Sequence, residues 1–209
     1  MAQHFVIHPD NPNTRLIRQA AAMLREGAVI VYPTDSGYAL GCRLDDKDAV
    51  TRIRQIRQLD EQHHMTLMCR DLSEISRYAR VDNVKFRLLK SNTPGSYTFI
   101  LEATKEVPRR LQHPKRSTVG IRVPDHPVAL ALLEEIGEPM CSSSLILPDA
   151  HHPLTDVDEI REYVDRTVDL VVEGGAVGLD PTTVIDLTGD APVLLRRGRG
   201  DIAPFGIEE

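Results

Sequence analysis

Hydrophobic positions along the chain recur with two periods, and segments of each kind alternate from end to end. Leu16, Ile17, Ala20, Ala21 and Leu24 fall three or four apart, which predicts a helix over 14–26, capped by Asn13 or Thr14 and ended by Gly27. Residues 28–32 form a short apolar run stopped by Pro33, the pattern of a buried strand. A helix over 47–58 turns Val50, Ile53 and Ile56 inward and leaves Arg52, Arg54 and Arg57 near its outer face. Residues 65–69 read as a strand, and Asp71-Leu72-Ser73-Glu74 opens a helix in which Asp71 caps and Glu74 reaches back. Another helix covers 83–91. Segments 96–103 and 118–123 have strand patterns, 126–136 is a helix ended by Gly137, and 140–146 is a strand running into a Pro- and His-rich loop. An acidic helix over 156–165, capped by Thr155 or Asp156, precedes strands near 169–173, 183–187 and 193–197. Helices and strands interleave with no repeat, linker or low-complexity stretch. The expected fold is one α/β domain, with helices packed on a twisted, mixed β-sheet.

Composition narrows the classes of function. The 209 residues suffice for one domain that buries a core without staples. With 41% apolar and 27% charged residues, the chain is neither disordered nor fibrous. Lys and Arg total 25 against 31 Asp and Glu, a formal charge of −6, so contact with nucleic acid or an anionic membrane requires a local basic face. Much of the acid, in Asp156, Asp158, Glu159, Glu162, Asp165 and the terminal Glu208 and Glu209, is expected on another surface. The absence of Trp, with five Tyr and four Phe, argues against an aromatic base-stacking surface. Cys42, Cys69 and Cys141 are too widely spaced for a metal motif and read as buried thiols of a reduced compartment. The N-terminus lacks the order of a signal peptide, and no apolar run approaches the ~20 residues that span a bilayer. A cytoplasmic protein without a membrane partner is expected.

Candidate chemistry sits where strands meet loops. Val31-Tyr32-Pro33-Thr34-Asp35-Ser36-Gly37-Tyr38 either delivers hydroxyls to a sheet edge, where α/β proteins bind ligands, or is turn chemistry. Ser142-Ser143-Ser144 offers hydroxyls to an anion or satisfies buried backbone. Gly174-Gly175 through Thr182-Thr183 permits close approach of backbone to a ligand but matches neither a P-loop nor a dinucleotide-binding turn. Basic residues cluster at Arg52, Arg54 and Arg57, at Arg109-Arg110 with Lys115-Arg116, and at Arg196-Arg197 with Arg199; arginine suits bidentate phosphate contact. His63-His64 and His151-His152 lack a third ligand at a fixed offset and read as loop or surface histidines, so no metal site is expected.

Four motifs in order carry a resemblance over roughly residues 14–200. They are Tyr32-Pro33-Thr34-Asp35-Ser36 with Tyr38 and Leu40-Gly41; Pro94-Gly95-Ser96-Tyr97-Thr98-Phe99-Ile100-Leu101; Thr118-Val119-Gly120-Ile121-Arg122-Val123-Pro124 with His126-Pro127; and Thr182-Thr183-Val184-Ile185-Asp186 before Leu195-Arg196-Arg197-Gly198. The chain resembles the YrdC/YciO family and, within it, the YciO branch. The resemblance implies a YrdC-like domain over 14–200, with 1–13 and 201–209 as terminal extensions and a concave basic groove. It also implies an association with nucleotides or double-stranded RNA. The family's enzymes make threonylcarbamoyl-adenylate from L-threonine, bicarbonate and ATP for tRNA modification, with Mg2+ on the phosphates and no tightly bound cofactor. By resemblance, Thr34 and Arg122 are threonine-site positions, and Ser144 and Thr182 contact threonine or its carbamoyl product. Thr118, Ser142 and Arg196 fall on nucleotide-contacting positions, and Tyr38 and Arg57 complete the implied substrate- and nucleotide-binding set. The resemblance identifies no catalytic residue.

Two departures bear on activity. Where the enzymes carry Lys-x-Arg, this chain has Arg57-Gln58-Leu59; where they carry Ser-x-Asn, it has Ser144-Leu145-Ile146. A charge-assisted hydrogen bond contributes roughly 1.5–3 kcal/mol, so two uncompensated losses amount to about 3–6 kcal/mol, or about 10²–10⁴ in efficiency. The expectation is a YciO-type protein that binds a nucleotide or RNA, its synthase activity weak or lost. The alternatives are a non-enzymatic binder of double-stranded or ribosomal RNA, and an active synthase in which Arg57, His63 or His64 compensates.

Overall fold

In the computed structural model, which describes residues 1–60 and 63–208, the chain opens with β1 (Gln3–Val6), α1 (Thr14–Arg25), β2 (Ile30–Thr34) and β3 (Gly37–Arg43). It continues through α2 (Lys47–Arg57), β4 (Thr66–Met68), α3 (Leu72–Tyr78), α4 (Asn83–Asn92), β5 (Tyr97–Glu102) and β6 (Thr118–Arg122). Then come α5 (Pro127–Ile136), β7 (Met140–Ser144), α6 (Val157–Val164), β8 (Leu170–Glu173), β9 (Thr183–Asp186) and β10 (Val193–Arg196). Short 3-10 turns lie at Arg109–Leu111 and Ala203–Phe205. Glu209 of the second terminal segment lies outside the described residues.

Short polar side chains start the helices by accepting from otherwise orphaned N–H groups. Asn13 caps α1 through the N–H of Arg15 and Leu16, and Asp46, Asp82 and Asp156 do the same for α2, α4 and α6. Asp71 caps α3 through the Glu74 N–H, but the Glu74 carboxylate accepts from Arg70 N–H, one residue before the expected cap nitrogen. His126 starts α5 with its ring nitrogen, and Gly137 closes it at φ 74°, a left-handed conformation that suits glycine.

All ten strands join one mixed sheet in the order β1-β8-β2-β3-β7-β4-β6-β5-β9-β10. The expected strand over 28–32 begins later and runs through Pro33, which pairs with Tyr38. This is tolerated because β8 pairs with β2 only at Ile30 and Val31, so nothing on that side needs a Pro33 N–H. β3 and β1 were not expected from the sequence. β3 is buried along nearly its whole length between β2 and β7, so it lacks a two-residue alternation. β1 is short and mostly exposed, and it holds its place by a parallel ladder to β8. The segments at both ends pack on the body of the domain: Ile7 is buried, and Phe205 sits edge-on to Tyr97.

One face of the sheet turns Leu40, Leu67, Phe99, Ile121, Cys141 and Ile185 into the larger core. On the opposite face Ile30, Tyr32, Met140, Leu170 and Val172 meet α1 and α5 in a second core. The three cysteines are buried free thiols, as expected. The helices of the second core cover only part of their face, and the remainder is where side chains become polar.

Candidate functional site

Strand register brings the polar side chains into line. Across the sheet, Ala39 pairs with Ser144, Ser142 with Thr66, and Thr66 with Gly120. Gly120 pairs with Ile100, Thr98 with Val184, and Val184 with Arg196. These residues floor a cavity of about 320 Å³ whose wall also includes Arg57, His63, His64, Arg122, Ser143 and Ile146. Six hydroxyls (Thr66, Thr98, Ser142, Ser143, Ser144 and Thr182) and three guanidinium groups (Arg57, Arg122 and Arg196) line it, with no carboxylate among the described lining residues.

Hydrogen bonds preset several of these groups. Tyr32, wholly buried, bonds Ser142 Oγ at 2.7 Å, and Ser142 donates to the Leu40 carbonyl at 3.0 Å. Burial raises the Tyr32 phenol far above its ordinary range, although the Ser142 contact opposes this, so it stays protonated. Arg196 donates from Nε and Nη2 to the Thr182 carbonyl at 3.1 and 3.0 Å, and from Nη2 to Thr182 Oγ1 at 3.0 Å. Thr98 and Thr182 share a hydroxyl contact of 2.9 Å. Arg57 donates from Nε to Ser143 Oγ at 3.3 Å and from Nη1 to the Ile146 carbonyl.

The electrostatics are those of a cationic hollow. Burial lowers the pKa of Arg57, and burial with the like charge of Arg122 lowers that of Arg196. Both remain protonated, but the direction marks charge that no carboxylate among the described residues compensates. His63 is lowered by burial and then by Arg57 and Arg54. His64 is lowered by burial and then by His113, His63 and Arg116, and is held by Thr118 Oγ1 at 3.1 Å with its ring 4.9 Å from that of His113. Histidines so placed are neutral at neutral pH.

Six residues of the implied binding set therefore meet at one cavity: Arg57, Arg122, Ser142, Ser144, Thr182 and Arg196. Three others do not line it. Thr34 is 1% exposed and closes the β2–β3 turn, donating to the Gly37 carbonyl at 2.6 Å. Tyr38 donates to the Gly175 carbonyl and accepts from Gly174 N–H, both at 3.3 Å, bracing the loop after β8. Thr118 stands behind His64 and orients it. His64 lies in the loop before β4, as expected, but half-buried in the cavity wall rather than on the open surface. His63 is exposed, yet also lines the cavity.

The basic clusters separate. Arg52 turns to Asp169 at 2.9 Å, and Arg54 to the Asp60 carbonyl at 2.7 Å, so of the three arginines on α2 only Arg57 reaches the cavity. At 3.6 residues per turn Arg52 and Arg54 point nearly opposite ways, whereas Arg54 and Arg57 share a face and are separated by the Asp60 carbonyl that holds Arg54. Arg110 binds the Leu44 carbonyl at 2.9 Å and Arg199 the Asp35 carbonyl at 2.5 Å. The implied binding set omitted Thr66, Thr98, Ser143 and Asp35, although Ser143 stood in the serine run and Asp35 in the candidate stretch after β2. Thr66 and Thr98 carried a signal, since each is two positions from another lining residue on its strand, Met68 and Ile100.

The profile of the Sua5/YciO/YrdC family, described as telomere recombination, matches residues 22–198. YciO of Escherichia coli, named an uncharacterised protein, is 60% identical over 98% of this chain and 100% of its own length. The crystal structure of E. coli YciO superposes with a TM-score of 0.96 over 98% of this chain and 100% of its own. A threonylcarbamoyl-AMP synthase of Halorhodospira halophila is 34% identical over 89% of this chain and 97% of its own length. The crystal structure of P. abyssi Sua5 complexed with L-threonine matches with a TM-score of 0.85 and 28% identity, over 93% of this chain and 57% of that one.

Proposed function

Because the chain belongs to the Sua5/YciO/YrdC family, as a YciO-type member related to threonylcarbamoyl-AMP synthases, we propose that its cavity binds a nucleotide, with weak or lost L-threonylcarbamoyladenylate synthase activity. The observation that carries this reading is the convergence of Arg57, Arg122 and Arg196 on one hollow without a lining carboxylate among the described residues. Guanidinium groups suit phosphate and carboxylate oxygens, and the surrounding hydroxyls can complete such a site. L-threonine, bicarbonate and ATP are the substrates this reading implies, and the P. abyssi relative complexed with L-threonine agrees with it. In that chemistry a carbamate oxygen joins the α-phosphorus as the bond to pyrophosphate breaks. Positioning by the arginines and stabilisation of phosphate charge would supply the protein's share. Among the described residues no group of three His, Cys, Asp or Glu could hold a metal, so Mg2+ enters this reading on the nucleotide's own phosphates.

The impairment draws support from what occupies the departing positions. Leu59 packs partly buried against the larger core, where the resemblance implies an arginine. Ile146 presents an apolar side chain to the cavity where the resemblance implies an asparagine, and its carbonyl engages Arg57. With ATP, L-threonine and bicarbonate, pyrophosphate release is expected at least about a hundredfold below that of the H. halophila synthase. Equal turnover overturns the impairment, and calorimetry showing no affinity for ATP overturns the nucleotide reading. Leu59→Arg combined with Ile146→Asn should raise turnover. No gain would place the defect elsewhere.

The alternative, a non-enzymatic binder of double-stranded or ribosomal RNA, draws on one observation. Arg109, Arg110, Lys115 and Arg116 are all exposed, and of these Arg116 lies close enough to His64 in the cavity wall to lower its pKa. Such a surface predicts duplex-RNA affinity that falls steeply with salt. No binding at low salt removes this reading.

A further inference from the structure

The three arginines of the cavity are not equivalent. Arg122 is 3% exposed, and it alone of the three is paired with a carboxylate in the structure described: its Nη2 meets Asp35 Oδ1 at 2.5 Å, both side chains buried. Asp35 does not line the cavity. It stands behind Arg122 at the turn between β2 and β3, fixed by three other segments. Ser96 donates its hydroxyl to Oδ2, Asp125 N–H donates to Oδ1 at 3.0 Å, and Arg199 holds the Asp35 backbone carbonyl. Burial alone would raise the Asp35 pKa, but Arg122, Ser96 and the Asp125 N–H together bring it below its ordinary value, so it is ionised. The Nε of Arg122 is buried without a partner among the described residues, leaving the guanidinium a donor for a ligand although its charge is already matched.

A ligand a few ångströms away therefore meets Arg122 and Asp35 as a dipole, and meets Arg57 and Arg196 as cations. Among the described residues, three positive charges against one negative leave the site a formal charge of two. Resting on the reading of this cavity as a nucleotide site, we propose that Asp35 is a specificity-determining residue, which by neutralising Arg122 matches the cavity to a dianion. A phosphate monoester, or a nucleoside triphosphate carrying one divalent cation, has that charge. Arg122 then acts as a positioned hydrogen-bond donor, while Arg57 and Arg196 supply the attraction.

The test compares AMP and ADP by calorimetry at pH 8 without divalent cations, where His63 and His64 are neutral and the two ligands differ by one charge. Asp35→Asn keeps an acceptor for Arg122 and removes the carboxylate charge. The ADP-to-AMP affinity ratio is expected to rise about tenfold over the native protein, equivalent to about 1.4 kcal/mol. Asp35→Glu should restore the native ratio, and Ser96→Ala, which changes no charge, should leave it. A folded Asp35→Asn protein that keeps the native ratio, or loses both ligands equally, overturns the proposal and leaves Asp35 a purely positioning residue.

If Asp35→Asn does not fold, the double variant with Arg122→Gln keeps two uncompensated arginines. Its ratio should stay native while overall affinity falls, whereas Arg122→Gln alone should lower the ratio about tenfold. Equal ratios in these two proteins overturn the proposal. If the native protein binds neither nucleotide, the nucleotide reading fails by itself, and the same ratio taken with phosphate and pyrophosphate decides the charge inference. Binding of none of these anions overturns both.

Discussion

Arg196 shows how one residue can be recognised from sequence while its working geometry is not. Its place after an apolar strand marks it as a candidate, but only the fold hooks its Nε and Nη2 onto Thr182 and points it along the floor. Arg196→Gln removes a charge from the cavity and a brace from Thr182. Phosphate-ligand affinity should fall about ten- to hundredfold by calorimetry, the range of a charge-assisted hydrogen bond. Thr34 gives the converse case. Its hydroxyl is spent on the Gly37 carbonyl inside the turn, so Thr34→Val should lower unfolding stability by about 1–3 kcal/mol in denaturant titration. His63 and His64 respond to pH. Both have lowered pKa values, and a bound anion raises them, so binding takes up protons. Affinity for ATP should strengthen as pH falls from 8 to 6. His64→Gln should flatten that slope; an unchanged slope would remove His64 from the linkage.

At the scale of elements, caps and periodicity made the helices legible. Asn13, Asp71 and Asp156, candidates in the sequence, and Asp46 and Asp82, found only in the structure, each accept from the first turn of a helix. Asn13→Ala should cost about 1 kcal/mol in thermal unfolding, the ordinary worth of such a cap. The strands were less even. β6 alternates and β5 carries the apolar run Phe99-Ile100-Leu101, but β3, Gly-Tyr-Ala-Leu-Gly-Cys-Arg, has two glycines and no alternation, because neighbouring strands and packing on both sides decide it. Gly41 within it faces the Tyr32 ring, which an added Cβ would approach to 2.8 Å. Gly41→Val should therefore displace Tyr32 and loosen Ser142, to which Tyr32 is bonded, seen as lost melting temperature together with weaker ligand binding.

At the scale of the whole molecule, a chain of formal charge −6 carries a cationic hollow, because the acidic helix α6 and other surface carboxylates lie outside the lining. The same burial that shapes the hollow sets an acid response. His63, His64 and His126 have folded pKa values below the unfolded 6.5, so their contribution is complete above that pH and declines as pH falls below it. Asp35 is lowered from 3.8, so its contribution holds above that value and disappears as pH falls through the lower folded one. Glu74, which burial raises, opposes this trend just above pH 4.5. Calorimetric melting temperatures should decline from pH 7 to 5 and again below pH 4. A flat profile from pH 7 to 5 would contradict the histidine placement.

The family motifs, the α/β alternation and six of the nine proposed binding residues that line the cavity could be read along the chain, because local periodicity, caps and residue chemistry are properties of neighbours in sequence. Tertiary structure decided three matters. It chose which arginines face inward, since α2 sends Arg52 and Arg54 away and Arg57 in. It joined β1 to the sheet by pairing with a strand more than 160 residues away. It set Asp35 behind Arg122, a contact between positions 87 residues apart that fixes the charge of the site. Long-range register and buried charge compensation depend on which strands become neighbours, and that is a property of the folded sheet rather than of any segment within it.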